Sequence, residues 1–525
     1  MGIRLPIWTI IFLAFHFSPR AETNGKKPNI LICISEDHAI RFLANSEELG
    51  TSINPTPYLS RISQVGELHP LAYCTNASPS YTAFSLLTGK SKSAKREDFD
   101  SSQFLSQHFK TIGYETVFFG SWTWDNDPNH AGFDFWKILD DPEIFINPRI
   151  KDSKNQYVTE GHTTDVITDL AIQWLNKRTE TKPFFALVSF QSTKRPWIPP
   201  IRTIDKYNAE WFDTPETFFS NLENRAPANK YQNMNIGSDL DPVLDLFLPN
   251  YADLNSSDST TSIWAKNWKS MNDEQKSAWG LSWKPQNEAF SRESPQGESV
   301  SIWMFQRFIK NYLRCLYAMD ENIGRLVDSM DSNVEEGYNF IYTSERGRFT
   351  GEFGWFGSEW MYEPSARIPM VFANFKGLSA PVFKTGEIFR DFDLYSLIKN
   401  LVQPMTSGPT QIMPQPSSTR IGNNQLYFSH LDHPGESGVS PHHGLRKGKY
   451  KIVHYYPFDE WEFFDLENDP KELQNLYNHV THSTVVSEYK EYLDNAGEFR
   501  KNKRENQLFS ETWKRKQRSP ENKKR

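Results

Sequence analysis

Charged side chains follow two apolar segments of this chain, at the points where those segments end. Glu36 and Asp37 come directly after the run Asn29–Ser35, and Glu345 and Arg346 follow a second such run. Continuous apolar runs of this length are typical of strands that are buried on both faces of a sheet. Buried carboxylates need a positive partner, and arginine is a good one because its guanidinium donates two parallel hydrogen bonds.

The segments that would position these charges alternate between apolar runs and amphipathic helices. The predicted strands are Asn29–Ser35, Thr116–Gly120, Pro183–Phe190, Tyr338–Ser344 and Ile368–Ala373. The predicted helices, with apolar residues at helical spacing, are Pro57–Val65, Gln103–Ile112, Thr163–Trp174 and Phe305–Met330. This alternation predicts an α/β sandwich with a largely parallel central sheet, whose functional site lies beyond the carboxyl ends of the strands.

Two further regions differ from this pattern. Residues 205–300 are polar and rich in Trp and Asn, and we expect them to form a long loop insertion in an N-terminal domain of residues 27–410. Residues 420–500 are predicted to form a small antiparallel α+β subdomain. Its predicted elements are the strands Gln425–His430, Gly444–His454 and Trp461–Asp465 and a helix near Lys471–Tyr477. The basic residues 501–525 are predicted to be disordered.

Charge and the N-terminal segment exclude some classes of function. A net charge of -7 argues against a nucleic-acid partner. The basic Gly2–Arg4, the apolar Leu5–Phe17 and a small residue at Ala21 have the pattern of a signal peptide over residues 1–21. No apolar run is long enough to span a bilayer. We therefore expect a secreted or periplasmic protein without a transmembrane segment in the mature chain.

Several short strings occur in a fixed order along residues 27–495. They are Thr56–Arg61 (TPYLSR), Leu86–Gly89 (LLTG), Gly132–Trp136 (GFDFW), Tyr342–Tyr362 (YTSERGRFTGEFGWFGSEWMY) and Asp465–Pro470 (DLENDP). Each string is weak alone, but in this order they resemble the sulfatase family of the alkaline-phosphatase superfamily. The resemblance implies a sulfate ester hydrolase with a calcium ion and a formylglycine nucleophile, which is made from the cysteine of a CxPSR signature.

The nucleophile position of that family does not hold a cysteine here. Counting from the strings on either side places Pro79 at the nucleophile and Ala83 at the arginine of the signature. A rival register, which needs a two-residue insertion, places Ala77 and Tyr81 at these positions. Neither register supplies a side chain that can be oxidised to formylglycine, and Cys74 lies too far upstream.

The positions implied to contact sulfate are also substituted. Ser121, Thr123, Lys194 and Ser358 stand where the family has lysine, histidine, histidine and lysine. An exchange of lysine for serine removes a whole positive charge, which at about 4 Å and an effective dielectric near 20 is worth roughly 4 kcal/mol. These losses predict that sulfate hydrolysis is absent.

The implied metal site falls on Glu36, Asp37, Glu345 and Arg346. The first three are still carboxylates, but Arg346 stands where the family has asparagine, glutamine or histidine, and a guanidinium repels a divalent cation. We expect Arg346 to replace the metal in a salt-bridge cluster with the three carboxylates, so that no metal cofactor is bound. The alternative is that Arg346 points away from the site and calcium is kept.

Two functions follow from the resemblance and its departures. The first is an exported family member without sulfatase activity that binds a carbohydrate or a sulfated ligand. The alternative is an active sulfate or phosphate ester hydrolase that uses Ser78, Ser80 or Thr82 as its nucleophile.

Overall fold

The structure of the protein, a computed structural model, covers most of the chain between residues 27 and 496. The described ranges are 27–43, 53–76, 79–90, 103–124, 126–179, 182–230, 232–248, 259–376, 386–402, 424–430 and 438–496. For residues 79–83, 259–262 and 496 only the backbone is described. The predicted signal peptide and the predicted basic tail lie outside these ranges. Within them, no helix has the length and apolar character that crossing a membrane requires.

The strands of the described ranges form a large sheet, a two-stranded pair and a small C-terminal sheet. They are β1 (Asn29–Ser35), β2 (Glu67–Leu68), β3 (Ala72–Tyr73), β4 (Glu115–Gly120), β5 (Phe135–Leu139), β6 (Arg149–Lys151), β7 (Gln156–Val158), β8 (Phe184–Phe190), β9 (Tyr338–Ser344), β10 (Met370–Phe375), β11 (Phe389–Arg390), β12 (Gln425–His430), β13 (His442–Lys447), β14 (Tyr450–Tyr455) and β15 (Glu460–Asp465).

The large sheet has nine strands in the order β2-β10-β9-β1-β8-β4-β5-β6-β7. Its five central strands, β9 to β5 in that order, are parallel, and the strands beyond them on both sides are antiparallel. Strands β1, β8 and β9 are buried along their whole length. This burial explains their continuous apolar sequence and confirms the predicted α/β class with a largely parallel sheet.

The helices of the described ranges surround this sheet and extend into the C-terminal subdomain. They are α1 (Pro57–Val65), α2 (Pro79–Thr88), α3 (Leu105–Thr111), α4 (Thr163–Lys177), α5 (Ser259–Ser270), α6 (Asp273–Glu293), α7 (Glu298–Asn333), α8 (Glu363–Ala366), α9 (Asp393–Asn400) and α10 (Ser483–Ala496). The long helix α7 packs against α1 and α4. Asp320 of α7 accepts hydrogen bonds of 2.8 Å from the backbone N–H groups of Tyr58 and Leu59, and so caps the first turn of α1.

The predicted loop insertion of residues 205–300 is wrong over its second half, where α5 and α6 form. These helices have a small apolar cluster of their own, in which the ring of Phe247 lies 5.0 Å to 5.4 Å from those of Trp264, Trp279 and Trp283. Large aromatic rings bury enough area to hold a helix that is otherwise polar. Because the region is polar in composition, its sequence showed no clear signal for these two helices.

The C-terminal sheet has the order β12-β13-β14-β15 and is antiparallel throughout, as predicted. The segment Gly444–His454, predicted as one strand, is instead a hairpin of β13 and β14. Gly448 adopts a positive φ of 56° between them, a conformation that glycine reaches without steric cost.

The helix predicted near Lys471–Tyr477 does not form; within the described residues of this subdomain, an α-helix forms later in the chain, as α10. Hydrogen bonds from side chains stabilise a non-helical conformation of residues 471–477. Asp469 accepts hydrogen bonds from the backbone N–H groups of Leu473 and Gln474. Asn475 accepts one from the backbone of Phe463 on β15. Aspartate and asparagine compete with helix formation in this way.

Candidate functional site

The candidate site lies at the carboxyl edge of the large sheet, where β9, β1, β8 and β4 are successive neighbours. Glu36 and Asp37 follow β1, and Glu345 and Arg346 follow β9. The backbone N–H of Glu345 donates to the carbonyl of Ser35 at 2.8 Å, which extends the pairing of the two strands into the site. The structure therefore brings these four residues together, as their positions after buried strands predicted.

Asp37 is the centre of a buried ion-pair cluster. Its backbone is in the left-handed region with φ 60°, which aspartate tolerates better than most residues. Nε of Arg346 donates to Oδ1 of Asp37, and Nη2 of Arg348 donates to Oδ2. The exposed fractions of the three side chains are 0% for Asp37, 1% for Arg346 and 3% for Arg348. Both carboxylate oxygens are therefore occupied by guanidinium groups.

The electrostatics of this cluster keep Asp37 ionised. Burial alone would raise the pKa of its carboxyl, but the charges and hydrogen bonds of Arg346 and Arg348 outweigh burial and hold the pKa below its usual value.

Arg348 is a site residue that the sequence reasoning missed. Its Nη1 donates to the carbonyl of Phe356 at 2.5 Å, and its guanidinium lies 5.4 Å from the centre of the Trp197 ring. The available signal was the spacing Arg346-Gly347-Arg348, since residues two apart in an extended segment point to the same side.

Gly347 lets this segment approach the loop around α8. A Cβ atom at this position would lie 2.3 Å from the carbonyl oxygen of Arg367 and 2.5 Å from that of Pro364. The backbone N–H of Gly347 donates to the carbonyl of Ser365 at 2.9 Å. The absence of a side chain at residue 347 is therefore part of what positions both guanidinium groups.

A second ion pair lies beside the cluster and reaches solvent. Nζ of Lys194 is 3.7 Å from Oε2 of Glu36; the lysine side chain is 28% exposed, whereas the glutamate is 2% exposed. Burial and the neighbouring carboxylate of Glu36 raise the pKa of Glu345 well above its usual value. Lys194, which stands at a family histidine position, thus compensates the negative charge of Glu36.

The other substituted positions lie around the same edge. Ser121 and Ser358 are buried and Thr123 is half-buried. The buried carboxylate of Glu359, next to Ser358, has its Oε1 3.9 Å from Nη1 of Arg346. Where the resemblance implies a sulfate-contacting lysine, the chain thus has a hydroxyl with a carboxylate beside it.

Helix α2 begins with the residues that the family resemblance assigns to the nucleophile signature. Pro79, Ser80, Thr82 and Ala83 lie in its first turns, where only the backbone is described. Ser78 lies outside the described residues. The assignment of a nucleophile among these residues remains a prediction.

Arg195 connects the site to the region that follows it in the chain. Its Nε and Nη2 donate to the two carboxylate oxygens of Asp245 at 2.7 Å and 2.6 Å. Asp245 is completely buried, and bidentate pairs of this kind fix orientation as well as charge. This ion pair connects residues 241–248 to the segment that follows the carboxyl end of β8.

The described side chains do not fit the calcium ion that the resemblance implies. Calcium takes six to eight oxygen ligands, and carboxylates supply them only where their oxygens are free to coordinate the ion. Here Asp37 already accepts from two cations, and their positive charge would repel a metal ion. Over the ranges that the structure covers, no group of three or more His, Cys, Asp or Glu side chains is arranged to hold a metal.

Comparisons with known proteins agree with the fold. The relative N-acetylglucosamine-6-O-sulfatase of Bacteroides thetaiotaomicron is 26% identical over 501 residues, which are 92% of this chain and 88% of that protein. Arylsulfatase of Clostridium perfringens is 24% identical over 342 residues, 64% of this chain and 57% of its own. A solved structure in complex with its substrate D-glucosamine-2-N,6-O-disulfate has a TM-score of 0.79 and 26% identity, and covers 92% of this chain and 99% of its own.

Two family models match the chain itself. The model described as N-sulphoglucosamine sulphohydrolase, C-terminal, matches residues 351–498. The model described as Sulfatase matches residues 28–382, which is more than half of the chain. The protein belongs to the sulfatase family.

Proposed function

We propose that this protein is a sulfatase-family member that does not hydrolyse sulfate esters and that binds a glucosamine-type carbohydrate at the carboxyl edge of its sheet. The observation that carries the proposal is the pairing of Asp37 with both Arg346 and Arg348. It places two positive charges where the family resemblance implies a divalent metal.

The cluster resists conversion to a metal site. To bind calcium, Asp37 would have to release two guanidinium groups that are nearly completely buried. Leaving a buried charge without its partner costs about 3–5 kcal/mol. We therefore propose that the two guanidinium groups provide the positive charge of the site in place of a metal ion, and that the protein binds no metal cofactor.

The class of ligand is inferred from the relatives. One is named for N-acetylglucosamine 6-O-sulfate and another is solved with D-glucosamine-2-N,6-O-disulfate. Both cover about nine-tenths of this chain. A glucosamine unit is therefore the ligand to test first.

Export is part of the proposal and is supported by the sequence pattern of residues 1–21. Fractionation of cells that express the full chain, with N-terminal sequencing of the product, tests it. A mature protein in the periplasm or the medium that begins close to Glu22 supports export, and an intact N-terminus in the cytoplasm contradicts it.

The catalytic claim is tested with aryl sulfate and aryl phosphate esters, each with and without calcium, zinc or manganese. We expect no turnover above that of buffer, while the Clostridium perfringens arylsulfatase, assayed in parallel with the aryl sulfate, serves as the positive control. Turnover that Ser80→Ala or Thr82→Ala abolishes would establish the alternative hydrolase. Turnover that both variants keep would equally overturn the proposal.

The binding claim is tested by isothermal titration with N-acetylglucosamine and N-acetylglucosamine 6-sulfate. Saturable binding of either sugar supports the proposal. Arg348→Ala, which disturbs the cluster, should weaken that binding; a matched change on the surface, Arg292→Ala, should not.

A further inference from the structure

A groove of about 840 Å³ lies where the insertion of residues 205–300 meets the C-terminal subdomain. It is lined by residues 223–227 of the insertion, by residues 459–461 and 474–479 of the subdomain, and by Lys490 of α10. None of the described residues of the carboxyl-edge site lines it. Pockets that bind small molecules have volumes of about 300–1,000 Å³, so this C-terminal groove is large enough for a ligand of several linked rings.

Hydrogen bonds hold the two sides of the C-terminal groove together. The buried carboxylate of Glu462 on β15 accepts from the backbone N–H of Ala226 at 2.8 Å. The carboxylate of Glu460, on the same strand, accepts from the backbone N–H of Ala228 at 2.7 Å. The groove is therefore preformed, and a ligand does not have to order it at the expense of affinity.

Two half-buried aromatic rings form a fixed part of the lining. The rings of Trp461 and Tyr477 are parallel to within 6°, with their centres 5.7 Å apart. His454 stacks on Trp461 with 3.9 Å between the ring centres. Nζ of Lys490 lies 4.3 Å from the centre of the Trp461 ring and donates to the Tyr477 hydroxyl at 3.0 Å. Aromatic rings held in this way offer a large contact area at little cost in conformational entropy.

Polar groups of the lining are available to a ligand. The side-chain amides of Asn224, Gln474 and Asn478 are exposed and have no hydrogen-bond partner among the described residues. The indole N–H of Trp461 likewise has none within the described part of the chain. An amide both donates and accepts hydrogen bonds, and an indole N–H donates one. Together these groups match a ligand whose polar groups also donate and accept, as hydroxyl groups do.

The C-terminal groove does not offer a strand edge to a peptide. Strand β15 is the edge strand of the C-terminal sheet, but the chain itself covers its outer side. The carbonyl of Phe463 accepts from the backbone N–H of Leu476 at 2.8 Å. The side chain of Asn475 accepts from the N–H of Phe463 at 3.0 Å and donates to the carbonyl of Trp461 at 3.1 Å. Peptides that add a strand to a sheet need such backbone groups to be free.

We propose that the C-terminal groove is a second binding site of this protein and that it takes a short neutral oligosaccharide. A sugar ring presents apolar C–H groups to an aromatic ring and hydroxyl groups to amides at the same time. The carboxylates of Glu223 and Asp459 also line the groove; they accept hydrogen bonds from hydroxyl groups but not from sulfate oxygens. The inference does not depend on the function proposed for the carboxyl edge, because the two sites share no lining residue among those described.

Isothermal titration of the full chain with three neutral tetrasaccharides, tetra-N-acetylchitotetraose, cellotetraose and maltotetraose, tests the inference. We expect saturable binding of at least one of them. Trp461→Ala should weaken that binding by at least about ten-fold, as the loss of an aromatic anchor does at other binding sites. The matched control is Trp211→Ala, which removes a 62% exposed tryptophan outside the groove and should leave the affinity unchanged. Absence of binding for all three sugars at millimolar concentration overturns the inference.

The double variant Gln474→Ala, Asn478→Ala decides the matter if Trp461→Ala does not fold. It removes two exposed amides that have no hydrogen bond to the described residues, so the fold should be unaffected. The tetrasaccharide should bind to it at least about three-fold more weakly, because hydrogen bonds to the sugar are lost. An unchanged affinity in this variant contradicts the inference: the sugar then binds elsewhere, and the function proposed for the carboxyl edge is unaffected.

Discussion

The guanidinium of Arg346 lies against the carboxylate of Asp37, and the two residues follow the neighbouring parallel strands β9 and β1. Arg348 occupies the second oxygen of the same carboxylate. Two guanidinium groups carry the same total charge as one divalent cation, so the carboxyl edge of the sheet keeps its local charge without a metal. The stability of the fold should therefore depend on this cluster.

Asp37→Asn should destabilise the protein by about 3–5 kcal/mol, because it leaves two buried guanidinium groups without their anion. Asparagine has nearly the same size and also tolerates the positive φ at this position, so loss of charge is the main change. The free energy of unfolding from denaturant titration measures the effect.

The matched control for Asp37→Asn is Glu467→Gln. The Glu467 carboxylate lies 3.0 Å from Nζ of Lys449, but its side chain is 68% exposed and solvent screens the pair. Its removal should change stability far less than Asp37→Asn does. Equal effects of the two substitutions would contradict a stabilising role for the buried cluster.

The elements that build this edge could be predicted from sequence because their signals are local. The predicted bounds of β1, β9 and α1 match the observed ones, since buried parallel strands are apolar without interruption and α1 has helical periodicity. Because parallel strands end at a common edge, it could also be predicted that Glu36 and Asp37 lie near Glu345.

Other features depend on contacts that are distant in sequence and could not be predicted. Helices α5 and α6 are polar overall, and only their packing around Phe247 explains why they form. The partnership of Arg195 with Asp245 joins residues whose separation carries no periodic signal. Arg348 was overlooked for a different reason: its spacing of two residues from Arg346 was a local signal, but the sequence did not show that both side chains reach Asp37.

Calcium should have no effect on the thermal unfolding midpoint of the wild-type protein, because the guanidinium pair already neutralises Asp37. The double variant Arg346→Asn, Arg348→Ala frees both carboxylate oxygens, and calcium should then raise the midpoint. A ligand at a hundred times its Kd stabilises the native state by about 2.7 kcal/mol. An equimolar amount of calcium in purified wild-type protein, measured by mass spectrometry, would contradict the prediction.

Gly347→Ala should destabilise the protein by about 1–3 kcal/mol, the usual cost of forcing extra volume into a packed site. The new methyl group would meet the carbonyl oxygens of Arg367 and Pro364, so the segment with both arginines must shift. The control is Gly280→Ala in α6, where a Cβ atom meets nothing within 4 Å. Alanine favours a helix over glycine, so the control should be neutral or slightly stabilising. Denaturant titration compares the two.

The buried histidine His162 should make the fold acid-sensitive. As the N-cap residue of α4 it accepts a hydrogen bond from the backbone of Thr164, and its Nε2 lies 2.9 Å from the carbonyl oxygen of Ile198. Burial lowers its pKa to about 4. The unfolded chain, with a histidine pKa near 6.5, binds a proton at a higher pH than the folded chain does. The contribution of His162 to stability is therefore complete above about pH 6.5 and is lost as the pH falls toward 4.

His162→Asn isolates this contribution, because asparagine keeps the N-cap acceptor and does not titrate. Between pH 7 and pH 4 the wild type should lose about 3 kcal/mol more of its unfolding free energy than the variant does. Burial also lowers the pKa of His442, to about 4, so the variant remains partly acid-sensitive and only the difference between the two curves reports on His162. The exposed His479→Asn should follow the wild-type curve, and coincident curves for all three proteins would contradict the prediction.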